Sequence, residues 1–404
     1  MPLRQAVSFT IMALLDRART FGPASVTRIP LRFAVIAGVA LVILFSFLIV
    51  PKDSRANLPN WSSSHNAAGT IKVGPIPNQV HFVYILPEAN SNFTFEFSHF
   101  LSIYAAWHHW KPDAIFLHTN ADANSDAVAR ARSGAQGKWN RYIFTLFNIQ
   151  INTVVTPTRA GNGKELVNME HKSDFVRVKA VHDLGGVYID WDVHALRDIA
   201  PLRNAGFRAV GGQQSSNELN SGSFLSVAGG RMISLWMERM HKVYDGQWST
   251  HSNEALTAIG QRLVREHGEM LILERDAFAP GGWSEQEHKW LWQVHDDTKS
   301  NLEGISQGDP LPSYEEGFED RWEHQDRFPD WDRDWSGTWL LHAFSPARHH
   351  REINGFKHVT PRYVLARQSN FARGVYPIAK MMYERGLIRI DDSHTGMEGE
   401  SVPV

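Results

Sequence analysis

The sequence predicts an α/β protein with a mostly parallel central sheet, preceded by one transmembrane helix. Two observations lead to this prediction. Apolar runs of strand length alternate with helical stretches from residue 80 onward, and this order gives a parallel sheet with helices on both faces. Residues 33–50 are all apolar or small except Ser46, and Leu31 extends this run to the length that spans a bilayer.

The N-terminal part of the chain is predicted to be an anchor. Residues 1–30 form a basic tail with several arginines and a single acid, Asp16. By the positive-inside rule this tail is cytoplasmic, and the chain after the span at residues 31–50 lies in the lumen of the Golgi or the ER. A cleaved signal peptide is the alternative, since residues 54–56 offer a cleavage site.

Residues 51–75 are rich in Ser, Asn, Pro and Gly without periodicity, which is typical of a flexible stem. Asn60 and Asn92 begin N-glycosylation sequons, which are used only in the secretory lumen. The sequons therefore agree with a single-pass, type II topology.

The catalytic domain is predicted over residues 76–390, with a flexible tail at 391–404. Strands are expected at residues 80–86, 114–118, 187–189, 209–212, 223–227, 270–273 and 339–344, with one or two more within 142–155. Helices are expected at residues 93–110, 122–132, 173–184, 232–244 and 254–267. Residues 280–338 crowd Trp, Asp, Pro and Gly together without a period, which predicts a long loop or lid.

The composition limits the class of protein. A chain of 404 residues buries one large domain or two modest ones, and its net charge of −2 gives no sign of a nucleic-acid-binding surface. The chain has no cysteine, so any metal must use oxygen or imidazole ligands. Its 14 tryptophans fit sugar-stacking platforms as well as core packing.

The central stretch of the domain reads SDFVRVKAVHDLGGVYIDWD. Ser173 is expected to cap a helix, and Gly185 and Gly186 to end it, because glycine adopts left-handed backbone angles at little cost. The apolar run Val-Tyr-Ile then forms a strand. Asp190 and Asp192 follow two residues apart, so their carboxylates are predicted to point to one spot.

A charged pair occupies the apolar side of the predicted helix. Asp174 and Arg177 share the side of Val178 and Val181, while Lys179 lies on the opposite side. Solvated charges belong beside Lys179, so we expect this pair to lie in an enclosed site. The alternative is a core ion pair beside two surface aspartates.

Paired aspartates at a strand end suit Mn²⁺ or Mg²⁺, which takes oxygen ligands and bridges carboxylates to substrate phosphates. The expected substrate group bound through this cation is a nucleotide diphosphate. The D-x-D pattern is weak by itself, because residues 330–332 and 332–334 match it too. Those copies lie in the loop-like tract and are expected to be solvated acids.

The order S-D-x-x-R, helix, G-G-V-Y-I-D-x-D resembles the sugar-binding region of glycosyltransferase family 32. Its relatives include α-1,4-glycosyltransferases, fungal initiating α-mannosyltransferases and clostridial glucosylating toxins. The opening at residues 76–81 is similar to the first strand of that family. The resemblance implies a GT-A type fold, a UDP- or GDP-sugar donor, a divalent metal, and transfer with retention of configuration.

The resemblance also implies roles for single residues. Asp190 would contact the ribose and the water shell of the metal, and Asp192 would bind the metal directly. Asp174 and Arg177 would hydrogen-bond the donor sugar.

Two later residues match the family less closely. Asn220 resembles a polar residue near the donor sugar, and a core or turn role is the alternative. His342 corresponds to a histidine near the metal or diphosphate. Residues 343–346, however, replace the usual tryptophan-containing sequence, so a core histidine is the alternative.

The resulting expectation is a retaining glycosyltransferase that moves a hexose to a glycan, glycolipid or glycoprotein acceptor in the secretory lumen. A membrane-tethered sugar-binding protein without turnover is the alternative. A metal-dependent phosphohydrolase is a more distant possibility, because the sequence lacks the further acids or histidines of a two-metal site.

Overall fold

A computed structural model describes residues 74–397 except 216, 314–320, 322 and 347–349. This part of the chain belongs to one compact unit, residues 71–404. The predicted tail, the span at 31–50 and nearly all of the stem lie outside the described residues. Within the described residues, no helix is long and apolar enough to cross a bilayer.

The described strands and helices follow in alternation through most of the unit. The strands are β1 Gln79–Val83, β2 Ala114–Thr119, β3 Ile149–Thr153, β4 Gly186–Ile189, β5 Val193–Ala195, β6 Ala209–Gln213, β7 Leu219–Ser226, β8 Leu271–Leu273 and β9 Leu340–His342. The α-helices are α1 Phe97–Trp110, α2 Asp126–Ser133, α3 Lys138–Phe144, α4 Met169–Leu184, α5 Ala200–Arg203, α6 Arg231–Val243, α7 Ala255–Leu263, α8 Arg275–Phe278, α9 Glu285–Trp292, α10 Pro361–Ala366 and α11 Asn370–Glu384. A π-helix, Thr250–Glu254, leads directly into α7.

Seven of the described strands form the central sheet in the order β3-β2-β1-β4-β7-β6-β8. Only β7 runs against its neighbours β4 and β6. The other strand pairs of this sheet are parallel. The predicted α/β class with a mostly parallel sheet is therefore confirmed. A separate antiparallel pair, β5 and β9, brings His342 opposite Val193.

The sheet separates two apolar cores. Val187 and Ile189 of β4 face one core, and Tyr188 between them faces the other. Side chains alternate between the two faces along a strand, so a strand buried on both faces is apolar throughout. Asp190 continues on the Tyr188 side at the point where the strand ends.

Three local expectations differ from the structure. Ser173 does not cap α4, because the helix begins at Met169 and the Ser173 hydroxyl donates to the Met169 carbonyl at 3.1 Å. The first part of the stretch expected to be strand at 142–155 belongs to α3, whose residues Trp139 and Ile143 are buried one helical turn apart. Asn220 lies within β7 rather than in its approach.

The C-terminal third contains more regular structure than the sequence indicated. The expected loop at 280–338 holds α9, which begins with a reciprocal capping box between Ser284 and Glu287. Asp332, expected to be solvated, is buried and paired with both Arg321 and Arg373.

The start of the expected flexible tail is packed against α3. Asp392 forms an ion pair with Lys138. The Trp139 indole N–H donates to the Ser393 carbonyl at 3.1 Å. Residues 391–397 are therefore held against the domain, and residues 398–404 lie outside the described part of the chain.

Candidate active site

The two acids of the D-x-D motif meet beyond the end of β4, as predicted. The Asp190 N–H donates to the Gly222 carbonyl of β7 at 2.8 Å, and the Ala343 N–H donates to the Asp192 carbonyl at 2.9 Å. These backbone bonds fix both residues, while about a third of each side chain stays exposed. Single ligand atoms from Asp190, Asp192 and His342 all lie within 4.8 Å of one another.

The predicted pair Asp174–Arg177 lies next to these acids and is buried. The Arg177 guanidinium forms an ion pair with Asp174 through Nη2. Its Nη1 donates to the Asp190 carboxylate at 3.1 and 3.3 Å and to the Ser221 carbonyl at 2.9 Å. Burial alone would lower the pKa of Arg177, but the charge of Asp190 leads the opposing effects and the net shift is upward. One guanidinium cation thus links helix α4 to the end of strand β4.

Tyr188 is a site residue that the sequence analysis did not single out. Its hydroxyl donates to Asp190 Oδ1 at 2.5 Å, and its ring lies 5.0 Å from the Arg177 guanidinium. Burial raises the pKa of the Tyr188 hydroxyl well above its ordinary value, so the phenol stays protonated and donates. The signal was available, because residues two apart on a strand share a face.

Asp174 is held from its other side by a histidine of the π-helix. His251 Nε2 lies 2.7 Å from Asp174 Oδ2. Burial, together with the charge of Arg177, lowers the pKa of His251 to about 4, so at neutral pH the ring is neutral and donates its Nε2 proton. Phe175 packs parallel to the His251 ring at 5.7 Å, which explains a large apolar residue beside Asp174.

Asn220 and His342 form a hydrogen-bonded pair on the opposite side of the acids. Asn220 Oδ1 accepts from the Gly222 N–H at 2.6 Å, which directs its Nδ2 toward His342 Nδ1 at 2.8 Å. With Nδ1 accepting, a neutral His342 carries its proton on Nε2, 3.2 Å from Asp192 Oδ1. Asn220 thus fixes the His342 ring, and His342 in turn lies against Asp192.

The three clustered side chains fit a divalent cation. Two partly exposed carboxylates and one imidazole are a donor set for Mn²⁺ or Mg²⁺, with the remaining positions left to water or phosphate oxygens. Ligation through His342 Nε2 requires its proton on Nδ1 and a turned Asn220 amide. Asp190 and Asp192 need no such change. Asp190, Asp192 and His342 are therefore a group of residues that could hold a divalent cation.

Comparison with known families identifies this region. Residues 98–212 match the model described as "glycosyltransferase sugar-binding region containing DXD motif". This stretch is similar to a DXD-containing glycosyltransferase sugar-binding region. The match contains Asp174, Arg177, Asp190 and Asp192, so the resemblance predicted from the sequence is confirmed. Asn220 and His342 lie beyond the matched residues.

A curated relative and two solved structures are similar to the chain. "Glucan organizing enzyme 1" of Cryptococcus neoformans var. grubii is 24% identical over 239 residues, which are 56% of this chain and 60% of that protein. The chain thus spans about 60% of the length of that relative. Mouse xyloside xylosyltransferase 1 is 12% identical over 52% of this chain and 89% of its own, with a TM-score of 0.35. The galactosyltransferase LgtC, solved with donor and acceptor sugar analogs, is 14% identical over 75% of this chain and 95% of its own, also with a TM-score of 0.35.

Proposed function

We propose that the protein is a metal-dependent, retaining glycosyltransferase of the GT-A type. It moves a hexose from a UDP- or GDP-sugar to a glycan, glycolipid or glycoprotein acceptor. The observation that supports this proposal most directly is the meeting of Asp190, Asp192 and His342 within 4.8 Å, beside the buried Asp174–Arg177 pair.

Each group of residues has a distinct task in this proposal. Asp190 and Asp192, with His342, would hold Mn²⁺ or Mg²⁺, which would supply neutralisation of the charge on the leaving diphosphate. Arg177 and Tyr188 fix the Asp190 carboxylate in one orientation. Such fixed groups need not reorganise during the reaction.

Asp174 and Arg177 are proposed to line the donor-sugar pocket, as the family resemblance implies. Asp174 is bound on both carboxylate oxygens, by Arg177 and by His251, so it is poorly placed to attack the sugar. We therefore favour a front-face reaction. The acceptor hydroxyl attacks the anomeric carbon, the bond to the phosphate breaks, and the leaving phosphate takes the hydroxyl proton.

The cellular location is a separate proposal. The apolar run at residues 31–50 and the basic tail before it support a single-pass type II protein with its catalytic domain in the Golgi or ER lumen. Asn92, one of the two sequon residues, lies in the described part and is exposed, so it is accessible to glycosylation.

The enzyme assignment is tested by donor hydrolysis. The purified full-length chain in detergent is incubated with a panel of UDP- and GDP-sugars and Mn²⁺, and release of nucleoside diphosphate is measured. We expect release from one donor, and its loss when EDTA removes the metal. Binding of a nucleotide sugar without any release would instead identify a sugar-binding protein without turnover.

A further inference from the structure

The loop after α6 lies near the carboxyl ends of the parallel strands, as do Asp190, Asp192 and His342. Strand β7 runs antiparallel to β4, so it begins near Asp190 and ends at the opposite edge. Helix α6 then returns along α4, and Tyr244, directly after α6, contacts His171 in the first turn of α4. The loop of residues 244–249 is therefore placed beyond the carboxyl ends of the parallel strands, where ligands bind in such sheets.

The segment that follows this loop forms hydrogen bonds with residues of the candidate active site. The π-helix provides His251, whose ring bonds Asp174, and Asn253, whose Oδ1 accepts from the Ser221 N–H at 3.0 Å. Ser221 in turn binds Arg177 through its carbonyl. Single-turn π-helices are frequently found at functional sites. The loop is thus attached directly to groups that contact the donor-sugar pocket.

Trp248 is the exposed aromatic residue of this loop. The residue is 55% exposed, and its ring lies 5.4 Å from the ring of buried His171. Asp245 fixes the loop by accepting from the Gln247 N–H at 2.9 Å and from the Thr250 hydroxyl at 3.2 Å. The indole is therefore presented by a loop of defined shape.

Buried His171 lies behind this surface, in contact with the Trp248 ring. Its Nδ1 is bonded to the Tyr244 hydroxyl at 3.0 Å, while its Nε2 is buried and has no hydrogen-bond partner among the described residues. Buried polar atoms of this kind are rare unless a water or ligand satisfies them. An indole face next to a hydrogen-bonding imidazole suits the apolar face and the hydroxyls of a sugar ring.

We propose that Trp248 is the stacking platform for the pyranose ring of the acceptor, an inference that rests on the proposed glycosyltransferase function. His171 lies about one helical turn before Asp174 on α4 and contacts the Trp248 ring. The acceptor ring would thus stack beyond the donor sugar. Its hydroxyl would point back toward the anomeric carbon.

A lipid surface is the other chemistry that an exposed tryptophan suits. The acidic neighbour Asp245 argues against it. The hydrogen bond from the Gln247 N–H leads the effects that lower the pKa of Asp245, so this carboxylate is charged at neutral pH and repels anionic lipid. A charged acid and an imidazole beside the indole favour a sugar.

The test compares Trp248→Ala, Trp248→Phe and a matched control, Phe147→Ala. Phe147 is 74% exposed and precedes β3, at the opposite edge of the sheet. Binding of methyl glycosides of glucose, galactose, mannose and xylose to the full-length protein is measured by saturation-transfer NMR. We expect Trp248→Ala to lose the signal, Trp248→Phe to keep part of it, and Phe147→Ala to match the wild type.

Kinetics provide the second measurement. With the donor that the wild type uses, KM for the bound glycoside should rise about tenfold in Trp248→Ala, while kcat changes far less. Equal binding and equal KM in wild type and Trp248→Ala would overturn the platform. The platform would also be overturned if the wild type bound no glycoside. The same holds if Trp248→Ala lost binding only to phosphatidylcholine–phosphatidylserine vesicles. If no donor is turned over but glycoside binding still depends on Trp248, the proposed enzyme fails and the sugar platform stands.

Discussion

The Nη1 atom of Arg177 lies 3.1 Å from Oδ1 of Asp190, thirteen residues later in the chain. The contact exists because α4 ends at Gly185, where the chain turns at a positive φ and β4 returns along the helix. Asp174, one turn before Arg177, binds the other guanidinium nitrogen. A single buried cation thus balances two carboxylates of the candidate site.

Removal of the Arg177 guanidinium should destabilise the fold as well as the candidate site. Arg177→Ala leaves Asp174 buried without its charged partner, and breaking a buried ion pair in this way costs about 3–5 kcal/mol. We expect a large fall in the melting temperature and loss of donor turnover. Lys179→Ala, on the exposed side of the same helix, is the control and should melt within a degree or two of the wild type. An Arg177→Ala protein as stable as the control would show that Asp174 finds other compensation.

Asp192 should be needed for metal binding and not for folding. Asp192→Asn keeps the shape of the side chain and removes a charge that a hard cation requires. Calorimetry should show weaker Mn²⁺ binding and assays should show severe loss of turnover, while the metal-free protein melts as before. Asp330→Asn, which changes an exposed acid in another D-x-D copy, is the matched control. If Asp192→Asn retained most of its turnover, the metal site would be assigned wrongly.

Substitutions of Asp174 and of Arg177 should differ in their effect on nucleotide binding. Arg177 contacts Asp190 directly, so its loss should weaken binding of both the bare nucleoside diphosphate and the intact donor. Asp174 reaches Asp190 only through Arg177. Asp174→Asn should therefore weaken binding of the intact donor while binding of nucleoside diphosphate with Mn²⁺ stays near that of the wild type. Calorimetry with both ligands measures the difference, and an equal loss in Asp174→Asn would remove Asp174 from the sugar pocket.

Local chemistry made part of this site predictable. Two glycines followed by an apolar strand and two acids placed Asp190 and Asp192 correctly, because helix ending and strand alternation depend on neighbouring residues. The burial of Asp174 and Arg177 followed from helical periodicity in the same way. The position of Ser173 did not, since α4 begins four residues earlier, at Met169, and its first turn is held by the contact between His171 and the distant Tyr244.

Contacts between distant segments could not be predicted. His251 meets Asp174 across 77 residues, and Asn253 meets Ser221 across 32, because α6 returns along α4 and places the π-helix there. No periodicity in the sequence specifies that packing. Asp332 shows the same limit. Its D-x-D pattern predicts a solvated acid, but the tertiary approach of Arg321 and of Arg373 in α11 makes it part of a buried ion-pair cluster.

Gly222 should be required for the geometry of the metal cluster. A Cβ atom at this position would lie 2.6 Å from both Asp190 Oδ2 and His342 Cε1, closer than atoms can approach. Gly222→Ala should therefore displace one ligand, reduce Mn²⁺ affinity and abolish turnover. Gly337→Ala is the control, since a Cβ there meets nothing within 4 Å. Unchanged Mn²⁺ affinity in Gly222→Ala would mean that the acids can move apart without losing the cation.

Stability should fall in mild acid because of a buried chain of histidines beneath the start of β4. His81 bonds the Gly185 carbonyl at 2.7 Å and His118 at 2.9 Å, and His118 bonds Asn152 at 2.8 Å. Burial lowers the pKa of His81 to about 4 and that of His118 to about 3, so both are neutral in the folded protein. The unfolded chain takes up these protons near pH 6.5.

The free energy of unfolding should therefore decrease as the pH falls from about 6.5 toward 4, by roughly 3 kcal/mol for one such group at the low end. Urea unfolding at pH 7.5 and at pH 5 measures the decrease. His118→Gln keeps an amide donor and cannot titrate, so its decrease between the two pH values should be smaller than that of the wild type. His350→Gln removes an exposed histidine as the control and should behave as the wild type does. Other buried histidines contribute equally in all three proteins. If the free energy of unfolding of His118→Gln decreased as much as that of the wild type, protonation of His118 would not be the cause of the decrease.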